Sequence, residues 1–267
     1  QAEDGIRDSS TSRGLGDVYK RQILETVEFV ANQNLVPITH LPARTMKDLE
    51  HVSSFLKELR NRTDSKKILV IGGGGNQNGS ISSSLEILES GLLKDNDFTE
   101  IGVAGHPEGS PDINQETIND FLNKKYDLSQ NKNLNLELVT QFFFNASPFI
   151  DWCQDLKAKN INLPVRVGFP GPASFKTLLN FGIMSGVGNS INFLKKNSSK
   201  VTDLLTKTSN DDMLIELANF AQGENSLKSF HCFPFGGFEK TCLWLNAVQS
   251  GEFTIDNSKI VLHKKIF

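Results

Sequence analysis

From residue 23 onward the chain alternates between short apolar runs and longer segments with helical periodicity. The apolar runs, such as KILVIG at 67–72 and EIGVAGH at 100–106, are continuous, which is typical of parallel strands buried on both faces. Each run is followed by a segment such as 46–60, in which apolar residues recur three and four apart. Strict alternation of this kind predicts a parallel sheet with helices packed outside it.

The pattern contains six such strand–helix units. Strands are predicted at 35–41, 67–72, 100–106, 136–144, 164–169 and 229–235, and helices at 23–34, 46–60, 82–93, 114–126, 147–160, 174–185, in a broken stretch over 189–223, and at 238–251. A doubly wound sheet and a (β/α)8 barrel both fit this order. Polar and glycine-rich residues follow nearly every strand, and a barrel brings all of these ends to one mouth. We therefore expect an α/β fold of the (β/α)8 TIM-barrel type, with about six βα units present and the first two strands missing.

Residues 1–22 differ from the rest of the chain. They have no apolar periodicity and are rich in Gly, Ser, Asp and Arg, which predicts a disordered or non-native tail resembling translated adapter sequence. An ordinary flexible tail is the alternative. We expect residues 23–267 to form a single, incomplete barrel domain.

Charge and cysteine content exclude several classes of function. The formal net charge is −3, so the chain lacks the basic field that draws proteins to nucleic acid or anionic lipid. It has no apolar run of 18 residues, the length expected of a membrane span. The three cysteines form no C-x-x-C pair and indicate a reducing compartment, so a cytoplasmic protein without a metal site is expected.

Three segments at strand ends carry candidate chemistry. GGGGNQNGS at 72–80 lacks the spacing of a Walker or dinucleotide loop, so it indicates either backbone approaching a flat or phosphate-bearing ligand, or a plain flexible loop. AGHPEGSPD at 104–112 places a histidine, two prolines and two carboxylates after a buried strand, which favours a ligand site. In TQFFFN at 140–145, Gln141 could recognise the edge of a heterocycle or make a structural hydrogen bond.

With HPEGSPD and TQFFF in this order and spacing, the chain resembles the methylenetetrahydrofolate reductase family over residues 23–250. VRVGFPGPASFKTLLNFGIMSGVG and FHCFPFGGFEKT are similar to its proteobacterial Gly-Gly-Asp-type branch. The resemblance implies a flavin-bearing barrel that reduces 5,10-methylenetetrahydrofolate to 5-methyltetrahydrofolate with NAD(P)H, or runs the reverse oxidation, in one-carbon and methionine metabolism. It also implies a folate-type substrate and a homo-oligomer.

The resemblance implies site residues at matching positions. For FAD these are His40, Gly72, Gly73, Gly74, Ala104, His106, Ser110, Pro111, Asp112, Ile113 and Lys125. Substrate positions are Gln141, which matches a glutamine contacting both folate and nicotinamide, Thr177, and Phe181, which matches an aromatic that stacks on either one.

Three positions depart from the family pattern. Gly74 stands where the family has an aspartate beside the pterin, Thr177 replaces a glutamine, and Gly237 falls near an arginine position. The family's catalytic glutamate lies on the first strand, which is not in this chain, so no catalytic residue is assigned and weak activity is expected. The alternatives are a diverged flavoprotein for another one-carbon carrier and a catalytically impaired folate- or flavin-binding protein.

Overall fold

The computed structural model describes residues 15–74, 77–110, 113–185, 211–223, 225–235, 237–257 and 259–264. Six strands form one sheet in sequence order, and their registers are parallel. Helices alternate with the strands, which confirms the expected α/β fold and is compatible with a partial TIM barrel. Within the described ranges, no helix is both long and apolar enough to cross a membrane.

The strands and helices follow one another as the periodicity predicts. In chain order they are α1 (Leu15–Asn32), β1 (Thr39–Pro42), a 3-10 turn (Ala43–Thr45), α2 (Leu49–Arg60), β2 (Lys67–Ile71), α3 (Ser84–Glu89), α4 (Leu92–Asp95), β3 (Glu100–Gly105), α5 (Gln115–Asn131), β4 (Leu136–Phe142), α6 (Ala146–Ala158), β5 (Val165–Pro170), α7 (Phe175–Ser185), α8 (Asp211–Ala221), β6 (Leu227–Phe233), α9 (Phe238–Gln249), β7 (Phe253–Asp256) and β8 (Lys259–Leu262).

The chain divides into two compact units. The first unit comprises residues 1–103 and 128–135, and the second comprises 104–127 and 136–267. In the first, His40 on β1 lies opposite Leu69 on β2, and Pro42 lies opposite Ile71. Helix α2 is capped by Asp48, whose side chain accepts a hydrogen bond from His51 N, and it buries one apolar face.

In the second unit, strands β4, β5 and β6 are joined by their side chains as well as by their backbones. Glu137 on β4 accepts hydrogen bonds from Arg166 on β5, at 2.9 and 3.1 Å, and from the Ser229 hydroxyl on β6 at 3.0 Å. These three half-buried residues tie one face of the three strands together. On the opposite face, buried apolar residues of β4 and β5 form a core; they include Leu138, Val165 and Val167.

Several boundaries differ from the sequence prediction. Helix α1 begins at Leu15, so residues 15–22, which we expected in the tail, are helical; Lys20 Nζ there pairs with Glu58 at 2.6 Å. The helix predicted at 82–93 is two helices, because Gly91 at φ 82° interrupts it.

Two differences concern the C-terminal strands. The last strand of the main sheet ends at Phe233, two residues earlier than predicted. The antiparallel hairpin β7–β8 was not predicted at all, and Ile260 N on β8 donates to Asp211 Oδ2 at 3.1 Å. Of the stretch predicted to be helical over 189–223, the part at 189–210 lies outside the described residues.

Candidate functional site

A cleft in the second unit collects residues from the end of β3 and from helices α5 and α6. It encloses about 340 Å³ of space, part of which is open to solvent. Four predicted cofactor residues line it together with five others: Ala104, Gly105, His106, Ile113, Ile118, Phe121, Leu122, Lys125 and Trp152. The structure therefore brings Ala104, His106, Ile113 and Lys125 to one place.

Among the described residues that line this cleft, Lys125 is the charged group. Its side chain is buried, and its Nζ donates a hydrogen bond to the Ala104 carbonyl oxygen at 3.1 Å. None of the ion pairs found among the described residues includes Lys125. Burial lowers its pKa from 10.5 to about 8, because an ammonium group loses solvation in an apolar cleft. Such a cation attracts an anionic ligand.

His106 follows β3 in a tight turn. The turn is closed by a hydrogen bond from Gly109 N to the His106 carbonyl oxygen at 3.2 Å, and Gly109 takes φ 81°. Burial and, as the smaller cause, the nearby charge of Lys125 together lower the pKa of His106 to about 4. The imidazole is therefore neutral at pH 7. Of the side chains of His106 and Lys125, only that of Lys125 is charged at this pH.

In the first unit, the glycine-rich segment is fixed at both ends to the chain after β1. Arg44 N donates to the Gly72 carbonyl oxygen at 2.9 Å, and Asn78 N donates to the Arg44 carbonyl oxygen at 2.8 Å. A Cβ atom added at Gly72 or Gly74 would meet no described heavy atom within 4 Å. The backbone there is open to a ligand on that side, whereas Gly73, at φ 85°, packs against Pro42.

His40 lies on β1 beside this segment, two residues before the strand ends. Its side chain keeps exposed surface, although desolvation by its surroundings lowers its pKa. An uncharged imidazole here offers one donor and one acceptor to a ligand at the end of β2.

Gln141 sits at an irregularity between β4 and β5. The register shifts between Val139 and Phe142, and Gly168 N donates to the Thr140 hydroxyl at 2.9 Å. A Cβ at Gly168 would lie 2.7 Å from the carbonyl oxygens of Thr140 and Gln141, so only glycine allows this approach. The Gln141 side chain is exposed, in line with the alternation of buried and outward residues along β4, and its Oε1 accepts from Phe142 N at 3.3 Å.

An aromatic cluster surrounds the end of β4. We define it by Phe142, Phe144, Phe181, Phe233 and Phe235, which pack around Leu178. Phe181 on α7 is half-buried, and its ring centroid lies 4.6 Å from that of Phe235. Phe235 has φ 45°, a left-handed conformation that costs a bulky residue about 1–3 kcal/mol.

The remaining predicted residues have varied surroundings. Ser110 follows the His106 turn and is half-buried. The Thr177 hydroxyl lies 2.8 Å from that of Ser174, in the first turn of α7. Gly237 precedes α9. Pro111 and Asp112 lie outside the described residues, as does Asn76, the polar residue nearest to Gly74 in the loop.

Sequence reasoning missed two features of these sites. Trp152 lines the cleft beside Lys125, and its position on the predicted helix 147–160 could have suggested contact with the preceding strands. In the sequence, the left-handed backbone of Phe235 is indicated only by the two glycines that follow this residue.

Comparison with known proteins finds similarity over about a quarter of the chain. "Methylenetetrahydrofolate reductase 2" of Saccharomyces cerevisiae is 29% identical over 75 residues, which are 27% of this chain and 12% of that protein. "Methylenetetrahydrofolate reductase 1" of Schizosaccharomyces pombe is 39% identical over 77 residues, which are 28% of this chain and 11% of that protein. No family model matches the chain.

Proposed function

We propose that the protein binds FAD and catalyses the NAD(P)H-dependent reduction of 5,10-methylenetetrahydrofolate to 5-methyltetrahydrofolate, or the reverse oxidation. The observation that carries the proposal is the buried Lys125, which faces a cleft and has a backbone carbonyl as its hydrogen-bond partner. The similarity to two proteins named methylenetetrahydrofolate reductase supports the reaction. The matched segments span 12% and 11% of those proteins.

Lys125 would hold the pyrophosphate of FAD. A phosphate would give the buried ammonium group the opposite charge it lacks among the described ion pairs, and the apolar walls of the cleft would strengthen that attraction. Neutral His106 can donate or accept a hydrogen bond without adding a second buried charge. The donor set of the cleft therefore fits a phosphate-bearing group.

The glycine segment would receive the flavin ring. Open space beside Gly72 and Gly74 allows a flat ring to lie against the backbone, and His40 on the neighbouring strand can contact the same ligand. FAD would supply the hydride chemistry when bound, and the protein would supply orientation and electrostatics.

Gln141 and Phe181 would bind the donor and the acceptor in turn. The exposed amide of Gln141 can form hydrogen bonds with either heterocycle, and the half-buried ring of Phe181 offers a face for stacking. One site serving both ligands implies that they exchange during the reaction.

A flavoprotein acting on a different one-carbon carrier is the second candidate. Its support is at Gly74, where open space stands in place of the family's aspartate, and at Thr177, whose hydroxyl is engaged by Ser174. Both changes affect positions that the resemblance assigns to folate. We further propose that the protein is a cytoplasmic homo-oligomer.

The test is the visible spectrum of the full chain after purification and incubation with FAD. We expect flavin absorbance that bleaches with NAD(P)H and returns when 5,10-methylenetetrahydrofolate is added. Bleaching without return would favour the second candidate. A folded protein that retains no FAD would contradict both candidates. Lys124→Met, at an exposed residue paired with Asp120, is the matched control for Lys125→Met in flavin binding.

A further inference from the structure

Phe235 is the residue at which the aromatic cluster converges. Its ring lies 4.6 Å from Phe181 with a tilt of 35°, 4.7 Å from Phe142 with a near-perpendicular angle of 83°, and 6.1 Å from Phe233. Phe235 is buried, whereas Phe181 is only half-buried. Phe235 therefore lies between the end of strand β4 and the ring that faces solvent.

The backbone at Phe235 is unusual for a large residue. Phe235 is the second residue of a turn closed by Gly237 N, which donates to the Pro234 carbonyl oxygen at 2.8 Å. A positive φ at this turn position favours Gly, Asn or Asp, yet the chain has phenylalanine there at φ 45°. Such strain persists only where the surrounding structure holds the residue in place, and it concentrates at functional sites.

The strained conformation of Phe235 places its ring against that of Phe181. Phe142 is anchored in β4 and meets Phe235 edge to face, and Phe235 in turn covers one side of the Phe181 ring. A half-buried side chain on a helix would otherwise sample several rotamers. Fixing its ring before a ligand arrives removes the entropy cost of ordering that ring on binding.

We propose that Phe235 is a positioning residue that sets the orientation of the Phe181 ring for stacking on nicotinamide and on folate. The identity of these two ligands rests on the proposed function. Phe181 makes the contact with the ligand, and Phe235 acts through it.

The first experiment compares Phe235→Leu with Phe55→Leu in the full-length chain. Phe55 is a buried core residue of α2, so the control removes a ring of the same size from the core of the first unit. We expect Phe235→Leu to raise the half-saturating concentrations of NAD(P)H and of the folate by about two- to tenfold each, the value of one aromatic pair. FAD affinity should not change. Phe235→Tyr, which keeps the ring, should have the wild-type half-saturating concentrations of NAD(P)H and of the folate.

The second measurement does not depend on activity. Fluorophenylalanine placed at position 181 reports its environment by fluorine NMR without substrate. We expect its resonance to shift and sharpen in Phe235→Leu and to stay unchanged in Phe55→Leu. If the fluorine resonance and the two half-saturating concentrations of Phe235→Leu match those of Phe55→Leu, the positioning role is overturned. An inactive wild-type chain whose resonance still responds to Phe235→Leu would contradict the proposed function and leave the positioning of Phe181 supported.

Discussion

The ammonium group of Lys125 lies 3.1 Å from the carbonyl oxygen of Ala104, to which it donates a hydrogen bond. The side chain is buried, and the walls of the cleft include Ile118, Phe121 and Leu122. A carbonyl dipole only partly replaces the hydration that a charged group loses on burial. The protein without ligand therefore holds this charge at a cost in stability.

Replacing Lys125 with methionine should stabilise the ligand-free protein. The folded pKa of about 8 lies below the ordinary 10.5, so the unfolded chain binds more protons between these values. Stability thus rises with pH across that window, and below pH 8 the penalty is about 3 kcal/mol. Subtracting about 1 kcal/mol for the lost hydrogen bond, Lys125→Met should gain about 2 kcal/mol at pH 7.

Urea denaturation of both lysine variants measures this gain. Lys124 is exposed and pairs with Asp120 at 2.7 Å, so Lys124→Met should change the unfolding free energy by less than about 0.5 kcal/mol. A Lys125→Met protein less stable than wild type at pH 7 would show that the buried lysine does not lower the unfolding free energy of the ligand-free protein.

Flavin affinity should depend on pH through the same residue. Only the charged form of Lys125 attracts phosphate, and an anion beside it raises its pKa again. Below pH 8 the dissociation constant of FAD should be nearly constant. Above pH 8 binding must take up a proton, so the constant should rise about tenfold per pH unit until the pKa of the complex is reached.

Titrations followed by flavin fluorescence between pH 7 and 9.5 measure how the dissociation constant of FAD depends on pH. In Lys125→Met the affinity for FAD should be lower, and its dissociation constant should not rise above pH 8. Lys124→Met should keep the pH dependence of the wild type. A rise that persists in Lys125→Met would assign the titration to another group.

Gly72 and Gly73 should respond differently to alanine. A Cβ at Gly72 meets no described atom within 4 Å, so Gly72→Ala should leave the unfolding free energy unchanged and should weaken FAD binding if the ring lies there. At Gly73 the φ of 85° and a contact of 3.0 Å with Pro42 predict a loss of about 1–2 kcal/mol. Thermal melting and FAD titration of both variants separate the two effects, and unchanged FAD affinity in Gly72→Ala would exclude that face as the flavin site.

The strands were predictable because their signal is local. KILVIG and EIGVAGH are continuous apolar runs, and such runs form buried parallel strands whichever neighbours they pair with. Helix α2 has apolar residues on one face and Asp48 before its first turn, and both features can be read from the chain.

The candidate site was less predictable because its geometry depends on contacts between distant residues. The irregularity at Gln141 requires Gly168, which lies on the next strand, to approach the backbone of β4. The end of β6 at Phe233 depends on a turn in which Phe235 is held by Phe142 and Phe181. Periodicity within 229–235 cannot show this, since the apolar pattern continues through the turn.

Glu137 should be more sensitive to substitution than the exposed carboxylate of Asp155 in the same unit. Its carboxylate accepts hydrogen bonds from the Nε and Nη2 atoms of Arg166 and from the Ser229 hydroxyl, so it joins β4, β5 and β6. The side chains of Arg166 and Glu137 are 26% and 24% exposed, so solvent screens the pair only in part. Glu137→Ala leaves the arginine charge without its partner and should lower the unfolding free energy by about 1–3 kcal/mol.

The matched control is Asp155→Ala, which removes an ion pair with Lys159 on the surface of α6. Those side chains are 49% and 41% exposed, so the change should cost less than about 0.5 kcal/mol. Glu137→Gln, which can still accept from Ser229, should fall between the two in urea denaturation. Equal losses for Glu137→Ala and Asp155→Ala would mean that the three strands are held by backbone pairing and apolar packing without help from this carboxylate.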